Sequence, residues 1–268
     1  MTATTRTSFL CLLFLLLYGC ATLPPGTTRS PRDPWERMNR TTYKFNDGLD
    51  RAILRPVARG YHRALPQFAQ TGVSNFLTNL AYPRVMLNDL LQGELRAFGS
   101  DTARLVLNTT LGIGGLLDPA TAAGLDRNDR DFGQTLGKWG AGSGPYVVLP
   151  FFGPSDVRDS FGKLGEYLAD PRTYLIRNPW VTWPLWGLDA VNIRVGLLPL
   201  DAAVDSAYDP YALVRNVYLQ RRDFRVKGSA ATPPEDEQEQ KLFDEAARDT
   251  DAAAGAPAPK SSPEKSPP

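Results

Sequence analysis

Residues 105–117, 139–155 and 178–188 contain no Asp, Glu, Lys or Arg, in a chain that is 22 % charged overall. No other feature constrains the fold more. A helix that crosses a bilayer needs about 20 consecutive apolar residues, so stretches this short are buried core, re-entrant or interfacial. Gly112, Gly114 and Gly115 interrupt the first. Gly140, Gly142, Gly144, Pro145, Pro150, Gly153 and Pro154 break up the second. The third holds Trp180, Trp183 and Trp186, three of the chain's five tryptophans, at a three-residue spacing that aligns them on one helix face if Pro184 permits a helix. Indoles favour the interface between headgroups and acyl chains. Singly, each stretch reads as core; together, on an anchored protein, they read as membrane-facing.

The anchor is legible at the start of the chain. Arg6 is followed by about ten apolar residues from Phe9 to Tyr18 and by the small residue Gly19, as a secretory signal requires. Cys20 comes immediately after, an arrangement that resembles the bacterial lipobox, in which the cysteine is lipidated and becomes the new N-terminus. Two or more acyl chains give stable anchoring where one is marginal. An ordinary secretory signal that ends by chance at a cysteine is the plain alternative. Cys11 leaves with the signal and Cys20 is consumed by lipid, so no disulfide is expected.

The expected organisation is a signal peptide at 1–19, a lipidated tether at 20–32, a folded body at 33–227 and an acidic, Pro- and Ala-rich, largely disordered tail at 228–268. Without the signal, 29 basic residues balance 29 acidic ones. Nucleic acid is therefore not an expected partner. The tail carries nine acidic and four basic residues, which leaves the stretch from Cys20 to Lys227 mildly basic at +5.

Four Asp-Pro pairs, at Asp33, Asp118, Asp170 and Asp209, predict helix starts, with aspartate as N-cap and proline in the first turn. Apolar residues recur at helical spacing after Asp33 and over 68–80, 85–91, 95–111 and 211–224. Tyr146-Val147-Val148-Leu149 is the one convincing extended segment, and the Gly-rich residues before it suggest a hairpin over 140–152. The class is mostly α.

Catalytic motifs do not assemble. His62 is the sole histidine and nothing beside it completes a triad, which argues against a lipid hydrolase and excludes the usual Cys/His zinc site. Gly140-Ala141-Gly142-Ser143-Gly144 precedes a strand instead of following one, so it is no phosphate loop. Asp126, Asn128, Asp129 and Asp131 resemble a calcium loop, but Arg127 and Arg130 interleave them and the required glycine is missing.

The ordered motifs carry more. They are Asp33-Pro34-Trp35-Glu36-Arg37-Met38-Asn39-Arg40; Ser74-Asn75-Phe76 with Asn79-Leu80; Leu91-Gln92-Gly93; Leu107-Asn108-Thr109 with Gly112-Ile113-Gly114-Gly115 and Asp118; Phe132-Gly133-Gln134-Thr135-Leu136-Gly137; Gly144-Pro145-Tyr146 with Leu149-Pro150; and Asp209-Pro210-Tyr211. In this order they resemble the MlaA (VacJ) family of outer-membrane phospholipid-transport lipoproteins, over nearly all of the body. The resemblance implies a multi-helix ring with one short β-hairpin, lying in the periplasmic leaflet of a Gram-negative outer membrane and pierced by an amphipathic channel. It further implies removal of mislocalised phospholipid from the outer leaflet, association with trimeric porins, delivery to the periplasmic carrier MlaC, and no cofactor beyond the transported lipid.

On this reading Gly140, Gly142, Gly144, Pro145, Tyr146, Val148, Leu149, Phe151 and Phe152 line or gate the channel, with glycines supplying hinges and the strand an apolar wall. A tight turn capping the core is the alternative. Leu107, Ile113, Leu116, Leu117, Trp180, Trp183 and Trp186 are candidates for the membrane-facing or channel-wall surface. A purely structural lipoprotein that braces porins or the envelope would need the same anchor but no channel.

Overall fold

A computed structural model describes residues 30–176 and 178–227, Leu175 without its side chain. The signal peptide, Cys20, most of the tether and the tail lie outside the described residues. The chain divides after Leu219, and the second unit contributes only residues 220–227 to the description.

Three of the four Asp-Pro pairs begin helices as expected. Asp118 accepts the Thr121 N–H at 3.1 Å to start α5 (Pro119–Ala122), and Asp170 accepts the Arg172 N–H at 2.8 Å to start α8 (Pro171–Leu175). Asp209 accepts the Ala212 N–H at 3.2 Å at the head of α11 (Pro210–Lys227). Asp33 does not cap. The first helix, α1 (Glu36–Leu49), starts after Trp35 without a side-chain cap, and Asp33 is drawn into the interior.

The helical rod then continues through a π-helical turn, Asp50–Leu54, into α2 (Arg55–Ala64), where Pro56 has no N–H to return to the preceding turn. Two expected helices over 68–80 and 85–91 are one, α3 (Gln67–Leu91), which runs through Pro83 with that ring on the exposed side. It packs along α4 (Leu95–Thr110). Next come α6 (Phe132–Lys138) and the hairpin, then α7 (Val157–Ala169), α9 (Pro179–Leu197), a 3₁₀ turn Leu198–Leu200 and α10 (Asp201–Ser206). Pro184 sits inside α9 without ending it.

Among the described residues the sheet is one antiparallel pair, β1 (Tyr146–Leu149) and β2 (Gly153–Asp156), with Tyr146 opposite Asp156 and Leu149 opposite Gly153. The partner strand therefore follows the extended segment, and the glycines before it lead into the hairpin without forming it. Gly140 and Gly144 have φ of 93° and 68°, a left-handed conformation that favours glycine, whereas Gly142 does not need a positive φ.

What holds this together is unusual. Of the largest fully buried side chains among the described residues, all but the tyrosines Tyr82 and Tyr146 are polar or charged: Arg104, Asn39, Asn88, Thr42, Thr135, Asp33, Asp89, Asp101, Asp156 and Asp170. The buried apolar cluster is small, consisting of Tyr146, Val148, Tyr211 and Leu219 with Tyr43 and Tyr218 against it. Buried polar groups are tolerated only when partnered. Asn39 satisfies that demand on both sides: its amide donates to Asp33 (2.8 Å) and to the Tyr146 carbonyl (3.0 Å), and its Oδ1 accepts the Val148 N–H (2.9 Å). Asp33 also accepts from Tyr211 and from Arg215 (3.1 Å), so one carboxylate ties the segment before α1 to α1 and α11, and through Asn39 to the hairpin. Arg104 does the same on α4, donating to Tyr82, the Leu125 carbonyl and both oxygens of Asp118.

Candidate lipid-facing surface

On some helices the charges are drawn inward and the outer face is left without them, most clearly on α7. Its apolar residues Phe161, Leu164, Tyr167 and Leu168 follow helical spacing and are the exposed ones, Phe161 at 66 %. Its charged residues face protein. Arg158 lies between Asp156 (3.5 Å) and Asp159 (3.0 Å), Lys163 donates to the Ser155 hydroxyl (3.2 Å), and Glu166 pairs with Arg84 at 3.5 Å. Burial pushes the Glu166 carboxyl up, partly countered by Arg84. An amphipathic helix in water turns its apolar stripe inward. Here the orientation is inverted.

A close approach fixes α7 in that orientation. A Cβ on Gly162 would lie 2.6 Å from the Gly133 nitrogen, so the inward side of α7 packs directly against the backbone of α6. Phe132 fills the space beside Gly165, where an added Cβ would lie 2.9 Å from its ring.

Helix α9 repeats the pattern. Its two charged residues are both neutralised inside. Asp189 meets Arg172 at 2.8 Å, and Arg194 meets Asp50 at 2.7 Å and Asp201 at 2.6 Å. The exposed positions, Pro179, Trp180, Val181, Trp183, Pro184, Gly187, Ala190, Ile193, Gly196 and Leu197, are uncharged along the whole helix. Trp180 is 87 % exposed. Asp50 is held below the ordinary carboxylate range, since hydrogen bonds and charge from Arg194 and Arg55 outweigh the opposing effect of burial.

The turn after α4 belongs to the same exterior. Leu111, Ile113, Leu116 and Leu117 are exposed, and Ile113 takes a φ of 55°, a left-handed conformation that a β-branched residue avoids unless its neighbours impose it. Gly115 supplies one such constraint, at φ 95° with its α-carbon against Asn79. Asn75 donates to the Leu116 carbonyl at 3.3 Å.

Of the residues read from the sequence, Ile113, Leu116, Leu117, Trp180, Trp183, Phe151 and Phe152 lie exposed. Leu107 and Trp186 are half-buried; Trp186 stacks under the Arg172 guanidinium at 4.5 Å and beside Tyr167 at 6.2 Å. Tyr146 and Val148 are a correction. They are sealed in the apolar cluster and contribute no wall to an open channel, because the Asn39 clamp turns this strand's inner face toward Tyr211. Leu149 and Pro145 are half-buried. The hairpin tip is presented differently: Asn46 donates to the Leu149 carbonyl (3.0 Å) and accepts the Phe151 N–H (2.9 Å), while Phe151, at φ 66°, meets Phe45 edge-on at 5.3 Å.

The outward stripe of α7 was missed in the sequence. Its spacing is that of any amphipathic helix, and spacing alone does not say which side is wet. No helix among the described residues is long and apolar enough to cross a membrane.

Fold and surface together define a class, a helical protein with a largely polar interior whose exposed faces on α7, α9 and the turn after α4 are uncharged and suited to apolar surroundings. Comparison with known proteins narrows it. The family described as MlaA lipoprotein matches residues 31–225, and the chain belongs to that family. It is 41 % identical to the intermembrane phospholipid transport system lipoproteins MlaA of Shigella flexneri and of Escherichia coli K12, over 249 residues covering 90 % of this chain and 96 % of each relative. The Haemophilus influenzae lipoprotein of the same name is 33 % identical over 218 residues, covering 79 % of this chain and 86 % of its own. A solved structure described as the basis for maintenance of bacterial outer membrane lipid asymmetry superposes with a TM-score of 0.65 at 40 % identity, covering 74 % of this chain and all of that one.

Proposed function

We propose that this chain is an outer-membrane lipoprotein that removes mislocalised phospholipids from the outer leaflet and passes them toward the inner membrane, maintaining lipid asymmetry. The observation that carries the reading is the inversion of α7 and α9: their charges are paired inside and their exposed faces are uncharged. Polar backbone and side chains can sit at membrane depth only where protein encloses them or where they line a cavity. Family membership and the names of the relatives support transport as the activity.

The finer parts of the proposal are a lipid anchor on Cys20, an amphipathic channel through the body, trimeric porins as neighbours and MlaC as the periplasmic acceptor. Within the hairpin, the exposed Phe151 and Phe152 at the tip are proposed to meet lipid, with Gly140 and Gly144, both at positive φ, leading into it. The direct test is mass spectrometry of lipids extracted from the detergent-purified protein, with attack by added phospholipase on cells lacking it. Co-purified phospholipid and increased surface phospholipid support the proposal. Lipid-free protein together with an unchanged outer leaflet would overturn it.

A further inference from the structure

Inside the pair of helices α3 and α4, two carboxyl groups come within hydrogen-bonding reach of each other, Asp89 and Asp101. Asp89 lies in the last turn of α3 and Asp101 in the second turn of α4, and both side chains are completely buried. Arg130 donates to Asp89 Oδ1 at 2.7 Å, and Asn128 donates to Asp101 Oδ2 at 3.1 Å. The other two oxygens, Asp89 Oδ2 and Asp101 Oδ1, find no donor.

The charged neighbours do not resolve this. Arg104, one turn along α4, is committed to Tyr82, Asp118 and the Leu125 carbonyl. Arg127 donates to Thr78 at 2.7 Å, and Lys138 of α6 pairs with Glu94 in the turn between the helices. Among the described residues, Arg130 is the cation that pairs with these acids, so a doubly ionised pair would leave one negative charge uncompensated in a dry site. Asp89 also stands at the negative end of the α3 dipole.

We propose that Asp89 and Asp101 share one proton and form a proton-operated clasp between α3 and α4, closed while the proton is held and strained when it leaves. The chemistry is a single protonation: one carboxyl becomes a donor to the other carboxylate, and Arg130 balances the charge that remains. The direction of the Asp101 titration agrees. Burial and the hydrogen bond to Asp89 push its carboxyl from 3.8 up to about 6, roughly a hundredfold tighter hold on the proton.

The sign follows from linkage. A carboxyl whose folded pKa is raised adds stability at acidic pH, and that contribution is lost as pH rises through about 6. This clasp would make the α3–α4 pair sensitive to the acidity of its compartment, independently of whether the chain moves lipid.

The test uses the full lipoprotein in detergent, with Glu166→Gln in every sample so that its raised carboxyl does not overlap. Thermal melts and hydrogen exchange over residues 87–101 are followed from pH 5 to pH 8, with and without Asp101→Asn. The asparagine amide replaces the shared proton with a permanent donor. The proposal expects protection and Tm to fall with rising pH in the parent and to stay level in Asp101→Asn. Equal pH slopes in the two proteins would overturn it, as would a Tm that follows added magnesium and ignores pH. Should Asp101→Asn fail to fold, infrared titration of the parent decides: a buried carboxyl C=O band lost near pH 6 supports the clasp, and its absence at pH 5 refutes it.

Discussion

If the exposed stripe of α7 faces acyl chains, a charge placed there should be expensive. Leu164 is 57 % exposed and lies between Phe161 and Leu168 on the same face. In water, Leu164→Arg at so open a position would change stability by about 0.5 kcal/mol or less. In lipid the comparison is different: leucine gains about 0.5 kcal/mol at the bilayer centre while arginine costs about 2.5–3.5, a difference of about 3–4 kcal/mol that shrinks to about 1 near the interface. The converse substitution, Arg158→Leu, takes away the guanidinium shared by the buried Asp156 and Asp159 and should cost about 3 kcal/mol. Thermal unfolding in lipid nanodiscs, with Leu164→Ala to account for lost bulk, measures both. A Leu164→Arg protein as stable in nanodiscs as Leu164→Ala would refute the lipid-facing assignment.

Asn39→Ala should cost about 2–4 kcal/mol, because it strands the buried Tyr146 carbonyl and Val148 N–H, and near-ultraviolet circular dichroism of the tyrosine cluster should weaken with it. Gly162→Ala forces α7 away from α6 and should lower Tm by an amount equivalent to about 1–3 kcal/mol, with no matching loss for Gly187→Ala, where the space is open. Asp50 and Asp209 are held below the ordinary carboxylate range, Asp209 chiefly by its hydrogen bonds from Arg40 against a cost of burial, so their stabilisation is present above that range and lost as pH falls through their folded pKa; acid melts should therefore show a loss below pH 4 that Asp209→Asn reduces. Cys20→Ala should yield a secreted, unanchored protein on membrane fractionation, and full retention in outer membranes of a strain lacking porins would show another anchor.

The sequence displayed the class, three helix starts and the extended segment, because caps and short β-branched apolar runs are local signals. It also displayed the uncharged stretches, and the exposed Trp180, Trp183, Ile113 and Phe152 come from them. What it concealed was orientation. Phe161, Leu164 and Leu168 have the spacing of an ordinary buried stripe, and only the packing of Gly162 on Gly133 turns them outward. Asp33-Pro34 has the form of a cap, yet its carboxylate is claimed by Asn39, Tyr211 and Arg215, groups up to 182 residues away. Tyr146 and Val148 looked like an apolar wall because an extended segment does not announce which side is enclosed.

The polar residues that carry the family resemblance acquire a common physical role once the interior is seen. Asn79 donates to Thr109, Gln92 donates to Thr135, Thr135 donates to Asn88, and Asn108 bridges Asp118 to the Ala120 N–H. A protein bathed in acyl chains, as proposed for this one, gains little from burying apolar groups, since lipid tails solvate a leucine as well as a core does. Hydrogen bonds and ion pairs must then hold elements together. The inward cations of the strongest junctions are arginines, Arg40, Arg55, Arg104, Arg158, Arg172 and Arg194, whose planar forks each reach two or more acceptors. A lysine could supply the charge but not the fork, so Arg104→Lys should lose the simultaneous hold on Tyr82, Asp118 and Leu125 that joins α3, α4 and α5, although the charge itself is kept.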